Sequence, residues 1–85
     1  MQTVVVADDH TITRRGLCLS LKMDGFTVVA EASNGQEAVD CFATFKPDLM
    51  LMDVRMPVLS GDEAIAAICH IHADAKILAI TGVEE

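Results

Sequence analysis

The chain has no tryptophan and no tyrosine, and three phenylalanines are its only aromatic residues among 85. Stacking platforms for single-stranded nucleic acid set aromatics beside basic residues, and bases are scarce too. Six Lys and Arg stand against thirteen Asp and Glu, a formal net charge of −7. An acidic chain with no basic cluster does not grip phosphate backbones by itself. Its one tight basic pair, Arg14-Arg15, reads as a solvated helix face. Cys18, Cys41 and Cys69 never form Cys-x-x-Cys, which excludes a thiolate zinc site or a dithiol redox pair and predicts reduced, mostly buried thiols. No apolar run is long enough to span a bilayer, and the opening one meets Asp8-Asp9 at once. Neither a membrane span nor a signal peptide is expected, and the expected location is cytoplasmic. Glycine-rich nucleotide loops are missing as well.

What is present is regular. A hydrophobic share of 52% with 22% charged residues suits a small folded unit. Val4–Ala7 is a short β-branched run that reads as a buried strand. Thr11 to about Met23 has helical spacing, with Ile12, Gly16, Leu17 and Leu21 on one face, and Asp24-Gly25 ends it. Thr27–Ala32 is a second strand, and Ser33 or Asn34 is placed to cap a helix from about Gln36 to Phe45. Ala38, Val39, Phe42 and Phe45 form the inner stripe of that helix, and Lys46-Pro47 breaks it. Asp48–Met52 is apolar on both faces, as a central parallel strand covered by helices should be. A loop from Val54 to Ser60 leads to a helix over Asp62–Ile71, with Ala64, Ile65, Ile68 and Ile71 inward, and Lys76–Thr81 is the last strand. Strands alternating with helices predict one α/β unit with a parallel sheet and right-handed crossovers.

In such sheets ligands gather outside the carboxyl ends of the strands. Polar residues stand at three of those ends: Asp8 and Asp9, Asp53, and Thr81. Taken singly, each has an ordinary explanation, since an Asp after a strand is often a turn or a helix cap. Together they describe a pocket of carboxylates that repel one another unless a divalent cation joins them. Hard oxygen ligands suit Mg²⁺. A carboxylate beside that ion can attack phosphorus, and a threonine hydroxyl can hold the phosphoryl oxygens. His10 reads as a loop residue, His70 and His72 are too poorly aligned to share a metal, and Met50, Met52 and Met56 read as core filling.

Five segments carry a resemblance: V-V-V-A-D-D-H, R-x-G-L, A-S-N-G-x-E-A, P-D-L-M-L-M-D-V-R-M-P-x-x-x-G and K-I-L-A-I-T. In order and spacing the sequence resembles the response-regulator receiver domains of two-component signalling, most closely those of LuxR/NarL-type DNA-binding regulators. The resemblance implies a three-layer flavodoxin-like fold with strand order 2-1-3-4, spanning residues 1–85 as a single receiver domain. It makes Asp53 the phosphoacceptor. The metal ligands become Asp8, Asp9, Asp53 and the backbone carbonyl of Arg55, with Mg²⁺ as the ion. Thr81 becomes the hydrogen-bond donor to the phosphoryl group, with the small Gly82 beside it. The implied donor is a sensor histidine kinase or a small acyl phosphate, and the implied output is transcription through a DNA-binding domain that this chain lacks. The domain itself is not expected to be an enzyme.

The sequence departs from the family in one respect. The last helix-strand-helix part, including a Lys on the fifth strand, is absent from these residues. The domain is therefore expected to be incomplete at its C-terminus. Arg55, two residues past Asp53, is the nearest cation to stand in for that Lys. An uncovered fourth strand would invite pairing with a second copy, so a homodimer is a further expectation. Two other readings bear on the same residues. A haloacid-dehalogenase-like phosphatase needs Asp-x-Asp, and here the third residue is Arg55. A phosphorylation-independent interaction module would not require Asp8, Asp9, Asp53 and Thr81 together.

Overall fold

The computed structural model describes residues 2–56 and 59–80. Four strands, β1 (Thr3–Ala7), β2 (Thr27–Ala32), β3 (Leu49–Asp53) and β4 (Ile77–Ile80), alternate with α1 (Thr11–Met23), α2 (Gly35–Phe45) and α3 (Gly61–Ile71). All strand pairings are parallel and the sheet order is β2-β1-β3-β4. This is the flavodoxin-like topology expected, with element boundaries within a residue or two of the sequence reading, apart from Thr81, which lies outside the described residues.

The strands form because β-branched and unbranched apolar residues fill both faces of a covered sheet. Side chains alternate between faces along each strand. Val5, Ala7, Met50 and Met52 therefore point to one side, where Ala38 and Phe42 of α2 and Ala64 and Ile68 of α3 cover them. Val4, Val6 and Leu51 point to the other, against Cys18 of α1 and the partly buried Leu17 and Leu21. Full burial of a side chain such as Val5 or Met50 contributes ~1.5–3 kcal/mol. β2 takes an extra residue against β1, the pairing stepping from Val4↔Val28 to Val5↔Ala30.

Local signals set the helix ends. Asn34 caps α2 by accepting from the Glu37 N–H at 2.8 Å. Lys46 closes that helix in the left-handed region at φ 44°, ahead of the buried Pro47. Gly25, at φ 94°, turns the chain out of α1. At α3, Ser60 and Glu63 form a reciprocal capping box.

Several expected core positions lie at the surface. Ile12 is 90% exposed, Ile71 68% and Phe45 47%; Gly16 is exposed too. Ile12 belongs to the first turn of α1, and Phe45 and Ile71 to the last turns of α2 and α3. A helix crossing a sheet buries its middle turns and lifts its ends away, which periodicity does not show. The thiols also differ from expectation. All three cysteines are free, but only Cys18 is buried, while Cys41 is half-buried and Cys69 exposed. Among the described residues β4 is an edge strand paired only with β3, and its Leu78 is 57% exposed. No helix of the described residues is long and apolar enough to cross a membrane.

Candidate functional site

Asp8 and Asp9 follow β1, and Asp53 is the last residue of β3. β1 and β3 are neighbours in register, Ala7 opposite Met52, so the strand ends deliver the three carboxylates to one spot. Ligand atoms of Asp8, Asp9, Asp53 and His10 all lie within 4.8 Å of one another.

Each carboxylate is held differently. Asp53 is buried, and its Oδ1 accepts the Arg55 backbone N–H at 3.0 Å. Asp8 is buried too, its Oδ1 accepting the His10 N–H at 2.8 Å. Its carbonyl oxygen accepts from Arg14 Nη1 at 2.9 Å, while Arg14 Nε donates to Glu31 Oε1 at 2.9 Å. Asp9 is partly exposed, yet its Oδ1 is sealed from solvent without a hydrogen-bond partner.

The electrostatics follow from that crowding. Burial pushes the Asp53 carboxyl above the usual carboxylate range. The Arg55 N–H opposes the shift, the Asp8 and Asp9 carboxylates add to it, and His10 opposes it. Three anions and a buried acceptor with no donor are what a divalent cation resolves, and the donor set of hard carboxylate oxygens fits one. The acidic cluster can therefore hold a metal ion.

The sequence-derived residues fall into three groups. Asp8, Asp9 and Asp53 are brought together as expected. The Arg55 side chain is exposed, and its backbone N–H faces Asp53. Thr81 and Gly82 lie outside the described residues. Two participants were missed by sequence reasoning. The His10 imidazole reaches the carboxylates, with Nδ1 at 3.1 Å from Asp9 Oδ1 and 3.5 Å from Asp8 Oδ1. Arg14, grouped with Arg15 as solvated, is 13% exposed and braces the acidic loop. The available signal was a cation one turn into the helix that follows two acids. His70 is exposed and His72 packs its ring on Phe42, 5.0 Å between centroids, so neither enters the site.

Comparison with known proteins agrees with this arrangement. The family model described as the response regulator receiver domain matches residues 4–85. The chain belongs to that family. Response regulator GacA of Pseudomonas viridiflava is 41% identical over 86 residues, covering 100% of this chain and 40% of GacA. Among solved structures, the receiver domain of the putative response regulator NarL from Mycobacterium tuberculosis superposes with TM-score 0.91 at 34% identity, covering 99% of this chain and 68% of that one. TrrA from Thermotoga maritima, solved in complex with Mg(2+)-BeF, gives TM-score 0.92 at 33% identity, covering 99% of this chain and 72% of TrrA. This chain is thus a receiver domain of the two-component response regulators, similar to those of LuxR/NarL-type regulators. It spans about 40% of the length of GacA from Pseudomonas viridiflava and from Pseudomonas syringae.

Proposed function

We propose that this chain accepts a phosphoryl group on Asp53 from the phosphohistidine of a sensor histidine kinase, or from a small acyl phosphate, and that the modification switches an output in the wider protein. The observation that carries the reading is the convergence of Asp8, Asp9 and Asp53 at adjacent strand ends, with Asp53 buried and one of its oxygens fixed. A receiver-family chain with that geometry has both a nucleophile and a place for its counter-ion.

The Arg55 N–H holds Asp53 Oδ1, which orients the carboxylate and leaves Oδ2 as the attacking atom. Attack on phosphorus forms the acyl–phosphate O–P bond as the donor's P–N or P–O bond breaks, and the electron pair leaves with the donor. Asp9 and Asp53, with the Arg55 carbonyl, are the proposed direct Mg²⁺ ligands, and Asp8 supports them directly or through water. Mg²⁺, when bound, offsets the negative charge that carboxylates and phosphoryl oxygens accumulate. TrrA's complex with Mg(2+)-BeF supports that choice of ion. Thr81, which follows β4 in sequence, donates to the phosphoryl oxygens in this reading. An added charge of about −1.5 to −2 then favours whichever conformation contacts it best. Resemblance to LuxR/NarL-type regulators makes transcription the proposed output, through a DNA-binding domain outside these residues.

Acetyl phosphate with Mg²⁺, followed by intact-mass measurement, tests the reading. A single phosphoryl adduct that disappears in Asp53→Asn and on chelation is the expected result. No adduct on the folded chain would leave a receiver-like interaction module that works without phosphorylation.

A further inference from the structure

We propose that Gly35, the first residue of α2, is a positioning residue for phosphoryl acceptance. Its missing side chain lets the loop between β3 and α3 seat the Leu59 carbonyl against the helix, and this keeps Arg55 in place beside Asp53. The inference rests on reading Asp53 as the phosphoacceptor.

Gly35 is buried in the first turn of α2, directly after the Asn34 cap. Among the described residues Gly25 is the only glycine with positive φ, so Gly35 has dihedrals open to any residue. Helical dihedrals suit alanine better than glycine, and the backbone conformation gives no reason for glycine here. The surroundings give one. A Cβ at Gly35 would overlap the carbonyl oxygen of Leu59 and stand 2.6 Å from its carbonyl carbon and 2.8 Å from its Cβ. Carbon atoms in contact sit ~3.5–4.0 Å apart. The carbonyl is backbone and cannot yield by a rotamer change. At Gly16, by contrast, a Cβ meets nothing within 4 Å.

The loop that Gly35 admits is the one that serves the carboxylate. Its ends are tied by the Gly61 N–H, which donates to the Val54 carbonyl at 3.1 Å. Met56 is buried in the core cluster that also holds Ala38 of α2. Between these ties the Arg55 N–H donates to Asp53 Oδ1 at 3.0 Å. With the ends joined, a push at Leu59 turns the loop as a unit or breaks the Val54–Gly61 bond. Either way Arg55 moves relative to Asp53. N–H···O bonds span only about 2.7–3.2 Å, and a misplacement of about 1 Å at a reacting centre can cost ~100-fold in rate. Gly35 thus acts on Asp53 through Leu59 and Arg55, without touching the reacting atoms.

The test times phosphorylation by acetyl phosphate and Mg²⁺ by intact mass, and follows the Arg55 amide resonance by NMR in the presence of chelator. Gly35→Ala is expected to slow phosphorylation about tenfold and to shift the Arg55 amide. Ala38→Gly weakens the same helix without adding an atom against Leu59, and both readouts are expected to stay as in the unaltered chain. A folded Gly35→Ala variant with the unaltered rate and amide position overturns the proposal, as does equal slowing by Ala38→Gly. If Gly35→Ala does not fold, Leu59→Gly is compared with Leu59→Gly/Gly35→Ala, because losing the Leu59 Cβ relaxes the loop while its carbonyl still meets the added methyl. Slower phosphorylation and a displaced Arg55 amide in the double variant support the role, and identical behaviour of the two overturns it. If the unaltered chain takes up no phosphoryl group, the phosphoacceptor reading falls and takes this role with it. A phosphorylated chain indifferent to Gly35→Ala sinks the role of Gly35 alone.

Discussion

Arg14 Nη1 donates to the carbonyl oxygen of Asp8 at 2.9 Å, tying the first turn of α1 to the acidic loop after β1. The same guanidinium holds Glu31 near the end of β2, so one side chain braces three elements. Arg14→Ala removes both bonds and leaves the loop free to spread under its own charge. A loss of ~1–3 kcal/mol in urea unfolding is expected, with several-fold weaker Mg²⁺ binding by calorimetry. Arg14→Lys should recover little of either, because an ammonium lacks the planar fork that serves two acceptors at once. Full recovery by lysine would reduce the role of Arg14 to charge alone.

Asp53→Asn is expected to stabilise the metal-free chain at neutral pH while removing the nucleophile. Burial raises the Asp53 carboxyl above its unfolded value. Below the unfolded value the residue is protonated in both states and the substitution changes little. As pH rises through the raised folded value, the native state comes to hold a buried anion and loses stability relative to the unfolded one. Asparagine avoids that loss and its Oδ1 can still accept the Arg55 N–H. Melting temperatures in the presence of chelator, measured from acid to neutral pH, should separate as pH rises. A gain of about 1 kcal/mol would appear as ~4–8 °C for a chain of this size. Parallel curves at every pH would show that Asp53 ionisation costs the fold nothing.

Gly61 cannot be replaced even by alanine without moving the site. A Cβ there would stand 2.4 Å from the carbonyl oxygen of Asp53 and 2.4 Å from the Cα of Val54. Both obstacles are backbone, so α3 must shift away from the end of β3. Destabilisation of ~1–3 kcal/mol is expected, together with weakened Mg²⁺ binding. An alanine variant with wild-type melting and metal affinity would contradict the close approach.

The capping box of α3 gives a contrast in size. The Ser60 hydroxyl accepts the Glu63 N–H at 3.2 Å, and Glu63 Oε1 accepts the Ser60 N–H at 3.1 Å. Ser60→Ala should cost ~1 kcal/mol in thermal unfolding, whereas Glu63→Gln should cost less, since glutamine keeps the acceptor. A loss from Glu63→Gln as large as that from Ser60→Ala would show that the Glu63 charge at the helix end contributes beyond its hydrogen bond.

How much of this was legible beforehand can be judged residue by residue. The order of strands and helices, the strand-end positions of Asp8, Asp9 and Asp53, and a cap at Ser33 or Asn34 follow from short-range pattern; the structure has all of them and gives the cap to Asn34. The surface positions of Ile12, Phe45 and Ile71 do not. Helical periodicity assigns a face along the whole helix, but the sheet beneath covers only part of its length.

The sequence by itself determined that Asp53 ends a buried strand and that Asp8 and Asp9 end another, because strand residues and their terminators are encoded locally. Membership of the receiver family was equally legible, carried by motifs along the whole chain. The tertiary structure alone decided which other side chains attend those acids. Pairing of β1 with both β2 and β3 puts Glu31 within reach of Arg14 and Asp53 beside Asp9. The turn from Asp8 into α1 aims the His10 ring at the carboxylates instead of at the helix end it precedes. Such meetings depend on distances between elements, and a linear pattern does not carry those distances.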